Sequence, residues 1–183
     1  MSTITPAFSS AFTYRDARTY MFATAFIAGN IIMPQFAHII PQGGLTWLPI
    51  YFFTLVGAYL CGWQAGVLTA LLSPVVNCIA FGMPATHALP AILVKSILLA
   101  VAAAYAGRRI PANVSTMWRT FAAVTCVVLF YQCAGAIFEY AITGSALAAV
   151  SDFRIGLPGI ALQLTAGTIV IHLAGRHVVS RRA

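Results

Sequence analysis

The sequence predicts an all-α integral membrane protein with six transmembrane helices and both termini in the cytoplasm. Of its 183 residues, 61% are hydrophobic and 7% are charged, whereas about a quarter of a soluble domain is usually charged. Apolar segments recur along the whole chain, and a bilayer core needs roughly 20 such residues per helix. The basic residues fall mostly on one side of these segments. Together these observations favour one membrane domain over residues 1–183.

Six apolar segments are predicted to span the bilayer, at about 17–34, 45–60, 62–81, 88–106, 118–142 and 153–173. Pro41, Gly43 and Gly44 break the chain after the first segment, and Cys61–Gly62 predicts a tight reversal after the second. Ser151 and Asp152 are cap candidates for the last helix. Six spans consume about 120 residues, which leaves only short loops and no separate soluble domain.

The positions of the basic residues predict the topology. An even number of spans puts both termini on one side, and cytoplasmic loops carry an excess of Lys and Arg. Eight of the ten basic residues fall on that side, namely Arg15, Arg18, Arg108, Arg109, Arg119, Arg176, Arg181 and Arg182. The net charge of +7 therefore indicates topology, because nucleic-acid binding would need an aqueous basic domain that this chain has no room for.

Polar side chains of five predicted helices converge on the outer half of the membrane. A charged side chain inside a membrane costs several kcal/mol unless it is paired or wetted. Glu139 is expected to pair with Lys95 or with Arg154. We favour a hydrated, outward-facing substrate pocket, and the alternative is a structural ion pair with scattered interhelical hydrogen bonds. The candidate substrate-binding residues are Asn30, His38, Asn77, Lys95, Gln132, Glu139, Arg154 and Gln163.

Two further expectations concern the ligand and its access. Lys95 and Arg154 outnumber Glu139 in the polar layer, which favours a ligand with a carboxylate or another anionic group. The loop at 35–46, which contains His38, is expected above the pocket, either as a lid or as an ordinary connector.

Several chemistries have no support in the sequence. There is no GxxxxGK[ST] phosphate-binding loop, no HExxH and no GxSxG with matching partners. None of the four cysteines forms a CxxC pair, so neither a metal nor another cofactor is predicted. We expect a transport subunit that hydrolyses no ATP itself and depends on partners for energy.

The stretch from His38 to Pro84 carries the motifs HIIPQGG, LPI at 48–50, LLSP at 71–74 and GMP at 82–84. Gly57, Gly62 and Gly66 form a series through the predicted turn between two of its helices. In these motifs the chain resembles the substrate-binding S components of energy-coupling factor (ECF) vitamin transporters. The six-span layout fits that family along the whole chain, although the motifs identify architecture better than ligand.

The resemblance implies a division of labour in a bacterial cytoplasmic membrane. An S component captures a water-soluble vitamin or related micronutrient in its outer half. It docks through small residues of its first helix onto a transmembrane coupling protein that carries two ATPase subunits, and it releases the ligand inward. On this chain the docking residues would be Thr24, Ala25, Ala28 and Gly29. The nickel and cobalt branch uses an N-terminal Met-His arrangement, whereas this chain starts Met1-Ser2-Thr3.

Three other functions remain open on the sequence. A stand-alone facilitator or channel for a small metabolite would need polar groups on both sides of the midplane, and the inner half has almost none. An intramembrane enzyme would use Glu139, Lys95 or His172, but His172 is predicted at the opposite side. A scaffold without a ligand would leave the outer polar layer unexplained.

Overall fold

The computed structural model describes residues 13–37, 46–112 and 115–180, and His38 of the candidate site lies outside them. In this part of the chain the regular elements are helical. They are α1 (Ala17–Ala37), α2 (Pro49–Cys61), α3 (Trp63–Phe81), α4 (Leu89–Arg109), α5 (Met117–Thr143), α6 (Ala146–Ile155), α7 (Leu157–Leu162), a π-helical segment (Gln163–Gly167) and α8 (Thr168–Ser180).

The helices confirm the all-α membrane class. Among the described residues, four helical stretches are long and apolar enough to cross a bilayer, namely Trp63–Phe81, Leu89–Arg109, Met117–Thr143 and Leu157–Arg176. The helix Pro49–Cys61 is apolar but shorter. Large side chains such as Ile79 and Trp118 are exposed on the outside of the bundle, as expected of a surface that meets lipid.

Helices α2 and α4 form the centre of the bundle. Helix α2 contacts α1, α3, α4 and α8, and α4 also contacts α3 and α5. Small residues allow these close approaches. A Cβ on Gly66 would overlap Ala58, and a Cβ on Gly107 would overlap the backbone carbonyl of Tyr59. The core is therefore built from backbones that lie close together, as in other membrane bundles.

The reversal between α2 and α3 occurs at Gly62, as the sequence predicts. Gly62 has φ 88° and separates Cys61, which ends α2, from Trp63, which begins α3. A residue with a Cβ adopts such a positive φ only at a cost. Because one residue makes the turn, α2 and α3 pack directly against each other.

The last span differs most from its predicted form. The chain forms the separate helix α6 after Gly144, and Ser151 and Asp152 lie inside this helix instead of capping the next one. A continuous helical rod then runs from Leu157 to Ser180 through α7, the π-helical segment and α8. Pro158 stands in the first turn of the rod, where a missing backbone N–H costs nothing.

Helix α1 also runs further than predicted. It continues through Pro34 to Ala37. A proline removes one hydrogen bond from a helix, but it does not always end the helix. Pro74 likewise lies inside α3.

Candidate functional site

Six of the eight candidate substrate-binding residues, all except His38 and Arg154, lie at one end of the bundle. Counted from the nearest end of the helix, at 1.5 Å per residue, their depths are about 6 to 17 Å. Direct contacts join them across helices, from α1 to α2 and α3, from α4 to α5, and from α5 to the π-helical segment. They form two groups, which we call the asparagine knot and the lysine–glutamine layer.

The asparagine knot joins α1, α2 and α3 around Asn30, which is fully buried. Asn30 Nδ2 donates to Thr54 Oγ1 (3.0 Å) and to Ser73 Oγ (3.2 Å). Its Oδ1 accepts from the backbone N–H of Phe53 at 3.3 Å. Asn77 Nδ2 donates to the backbone carbonyls of Asn30 (3.0 Å) and Ser73 (3.1 Å). Buried polar atoms of three helices therefore satisfy one another, an arrangement that stabilises the bundle.

The lysine–glutamine layer consists of Lys95, Ser96, Tyr131, Gln132, Glu139 and Gln163. Its ion pair joins Lys95 Nζ to Glu139 Oε2 at 2.7 Å, with side chains 2% and 17% exposed. Of the two cations proposed as partners for Glu139, the structure selects Lys95. A Cβ on Gly135 would overlap the methylene stem of Lys95, so the glycine lets the lysine lie flat against α5.

Gln163 enters the layer from the last rod at the start of the π-helical segment. Tyr131 donates its hydroxyl to Gln163 Oε1 at 3.0 Å. The ring of Tyr131 lies 5.4 Å from that of Tyr51 on α2, tilted by 44°. Tyr131, Gly135 and Glu139 are four residues apart, so they share one face of α5. π-helical segments occur frequently at functional sites.

Three atoms of the lysine–glutamine layer have no hydrogen-bond partner among the described residues. They are Ser96 Oγ, Gln132 Nε2 and Gln163 Nε2, and their side chains are at most 5% exposed. Leaving such a group unpaired costs about 1 to 3 kcal/mol. In the described part of the asparagine knot, Asn77 Oδ1 is the one buried side-chain atom without a hydrogen-bond partner. The layer therefore has hydrogen-bonding capacity that the described residues do not use.

Arg154 lies outside this layer. It is exposed in the last turn of α6, whereas Lys95 is buried and paired. The prediction of an anionic ligand depended on an excess of positive charge in the layer, and the charges of Lys95 and Glu139 balance. The structure removes that basis for an anionic ligand.

A cavity of about 340 Å³ opens at the same end of the bundle, on the side of the asparagine knot. It lies where α1 ends, α2 begins, and the chain passes from α3 to α4. Its walls are mainly apolar, and Asn77 contributes to them. Ligand pockets typically have volumes of 300 to 1,000 Å³ and a few polar groups on apolar walls.

The four predicted docking residues are not equivalent. Thr24, Ala25 and Ala28 are exposed along α1. Gly29 is half-buried, and a Cβ there would lie 2.8 Å from the ring of Phe53. Gly29 therefore permits internal packing between α1 and α2, while the other three leave a shallow surface for a neighbour.

The sequence predicts His172 at the opposite side of the membrane, but it does not predict that His172 and Thr168 are buried in the last rod. Thr168 and His172 are buried at 1% and 8% exposure, and neither Thr168 Oγ1 nor His172 Nδ1 has a partner among the described residues. His172 lies about 23 Å along the rod from Leu157, in the half that the sequence indicated to be nearly apolar. Their spacing of four residues was the available signal.

Metal binding has no structural support in the described part of the chain. No cluster of three or more His, Cys, Asp or Glu side chains there could hold an ion. Cys61, Cys78, Cys126 and Cys133 are free thiols.

Comparison with known proteins adds no relative. No family model, curated protein or solved structure matches the chain. The resemblance to S components therefore depends on the motifs between His38 and Pro84, together with the helical layout.

Proposed function

We propose that this protein is the substrate-binding S subunit of an ECF-type importer in a bacterial cytoplasmic membrane. In this proposal six spans place both termini in the cytoplasm. The protein captures a water-soluble vitamin or related micronutrient at its outer end. It then docks on a transmembrane coupling protein with two ATPase subunits and releases the ligand inward.

The lysine–glutamine layer is the observation that supports ligand capture. Helices that only needed to pack would satisfy their buried polar groups, as Asn30 does in the asparagine knot. Instead, Ser96, Gln132 and Gln163 each leave an atom without a partner among the described residues. A ligand that forms hydrogen bonds with these atoms removes the cost of leaving them buried and unpaired.

The same atoms indicate what the ligand offers. The amide nitrogens of Gln132 and Gln163 are donors, so the ligand presents acceptors such as ring nitrogens or carbonyl oxygens. The rings of Tyr51 and Tyr131 provide an aromatic wall. Because Lys95 is paired with Glu139, the ligand does not need a negative charge.

Docking on the coupling protein is tested at the exposed surface of α1. Ala25→Leu combined with Ala28→Leu adds bulk where these side chains are exposed. We expect uptake to be abolished, with ligand retention and melting temperature unchanged. The matched control is Ala122→Leu, an exposed position on α5, which we expect to keep uptake. Loss of ligand in the α1 variant would instead show that this face is structural.

Co-purification from native membranes tests the functional class. We expect a coupling protein and two ATPase subunits to accompany an affinity-tagged copy of the chain in mild detergent. Uptake should require ATP hydrolysis by these partners. A protein that purifies alone and transports its substrate in vesicles without ATP would contradict the proposal.

Transport in vesicles without ATP is the result expected of the second candidate function, a stand-alone facilitator. The buried pair Thr168 and His172 favours it, because the pair extends polar groups along the last rod into the other half of the bundle. Thr168→Val with His172→Phe distinguishes the two functions. A facilitator would lose ATP-independent flux in this variant, whereas an S subunit would retain ligand capture at the outer end.

A further inference from the structure

The cavity beside the asparagine knot is separate from the lysine–glutamine layer. Its walls come from α1 to α4 and the chain between α3 and α4, and they include Pro34, Pro49, Ile50, Met83 and Ile92. The residues of the layer face α5 and the last rod. A molecule in the cavity would therefore meet a different chemistry from one bound in the layer.

Asn77 lines the cavity and carries a hydrogen-bond acceptor, Oδ1, whose orientation is fixed by the bonds of its amide nitrogen. Its Nδ2 donates to two backbone carbonyls, those of Asn30 at 3.0 Å and Ser73 at 3.1 Å. Carbonyl oxygens only accept hydrogen bonds, so the amide cannot be reversed without losing both bonds. Asn77 Oδ1 is consequently fixed as an acceptor, and it has no partner among the described residues although Asn77 is only 2% exposed.

The other walls exclude charge. The described residues around the cavity include no Asp, Glu, Lys or Arg, and their polar side chains besides Asn77 are Gln35 and the exposed His87. An ionised ligand would lose its hydration without gaining a partner of opposite charge, which is strongly unfavourable. The occupant must therefore be neutral and mainly apolar.

We propose that this cavity is a second binding site, for a neutral and largely apolar small molecule that donates one N–H or O–H hydrogen bond to Asn77 Oδ1. The site does not depend on the transport function, because its walls and its acceptor exist whatever the lysine–glutamine layer binds. The volume of about 340 Å³ lies within the range of small-molecule pockets.

A pair of fluorinated probes tests the donor requirement. The protein in lipid nanodiscs is titrated with 5-fluoroindole, which has one N–H, and with 5-fluoro-1-methylindole, which has none. Fluorine NMR separates saturable binding from partition into lipid. We expect saturable binding of 5-fluoroindole in roughly the millimolar range or tighter, as for a small fragment. Methylation should weaken it at least about tenfold, because Asn77 Oδ1 then stays unpaired.

Filling the cavity tests the location while leaving Asn77 in place. Ala85→Phe and Ala88→Phe each add a ring at a lining position, and Ala122→Phe adds the same ring on the exposed face of α5. Loss of 5-fluoroindole binding in either lining variant that melts like the wild type, with binding kept in Ala122→Phe, supports the site. Equal affinity for both probes, binding that survives both lining variants, or the absence of saturable binding would overturn it. A cavity occupied by a lipid chain would give the last result.

Discussion

The asparagine knot and the lysine–glutamine layer lie at the same end of the bundle, yet their buried polar groups differ in how many hydrogen bonds they form. In the knot, Asn30 uses its amide nitrogen and oxygen within the bundle, and Asn77 uses its nitrogen twice. In the layer, the ion pair of Lys95 with Glu139 and the hydrogen bond of Tyr131 to Gln163 coexist with three atoms that have no partner among the described residues. The knot therefore resembles a structural joint, and the layer resembles a site that is completed by another molecule.

The difference shows why a polar residue in a membrane helix does not by itself indicate a ligand. Asn30 and Gln132 are both buried amides, and only their partners distinguish them. A satisfied amide should matter for folding, whereas an unsatisfied one should matter for binding. Substitutions at satisfied and at unsatisfied polar groups should therefore differ in their effect on the free energy of unfolding.

The ion pair should give the largest effect. Glu139→Gln removes the carboxylate that balances the buried charge of Lys95, which costs about 3 kcal/mol of unfolding free energy. Lys95→Met leaves the carboxylate of Glu139, which is 17% exposed and partly wetted, so we expect only about 1 to 2 kcal/mol. Thermal unfolding in detergent, followed by circular dichroism, ranks the two variants. The double variant should be more stable than Glu139→Gln alone, and the reverse ranking would contradict the burial argument.

The asparagine knot should give the next effect. Asn30→Leu removes all three hydrogen bonds of the Asn30 amide, with Thr54, Ser73 and the backbone of Phe53, with an expected loss of about 1 to 3 kcal/mol. Thr24→Leu is the matched control on the exposed face of α1, with an expected change within about 0.5 kcal/mol. Ligand retained by the folded fraction should not change in either variant. Selective loss of ligand in Asn30→Leu would show that the asparagine knot is part of the binding site.

Gly135→Ala tests the contact between α4 and α5. The added methyl would overlap the stem of Lys95, and we expect a loss of about 1 to 3 kcal/mol, as for other overpacked positions. Cys133→Ala, exposed on the same turn, is the control with little expected change. Equal melting temperatures for the two variants would mean that Lys95 can move away from α5 without cost.

Gln132→Leu should have the smallest effect on folding. Its Nε2 has no partner among the described residues, so replacing the amide by an apolar group of similar size should leave stability unchanged or raise it by up to about 1 kcal/mol. The same thermal unfolding assay measures it. A loss comparable to that of Asn30→Leu would show that Gln132 belongs to a structural joint.

The class of the fold and part of the polar layer could be predicted from sequence. Composition requires lipid as the main solvent, and the scarcity of charges makes a pair between Glu139 and a nearby cation nearly unavoidable. Sequence could not choose between Lys95 and Arg154, because that choice depends on the extra helix α6, in whose last turn Arg154 is exposed. The last predicted span, at 153–173, gave no sign that one helix ends at Ile155 and another begins at Leu157.

The partners in the asparagine knot were also beyond sequence reasoning. Thr54 and Ser73 are small hydroxyl residues that commonly bond to carbonyls of their own helix, and nothing in their spacing shows that Asn30 would reach both. The π-helical segment at Gln163–Gly167 likewise depends on packing against α2 and α5. The burial of Thr168 and His172 could not be predicted for the same reason.

Ligand binding in the lysine–glutamine layer can be measured by native mass spectrometry. The wild type and Gln132→Leu are both released from native membranes in mild detergent. We expect one small molecule per wild-type chain, neither lipid nor detergent, that is largely lost from an equally stable Gln132→Leu variant. A wild-type protein without any such molecule, or equal occupancy in both proteins, would contradict it.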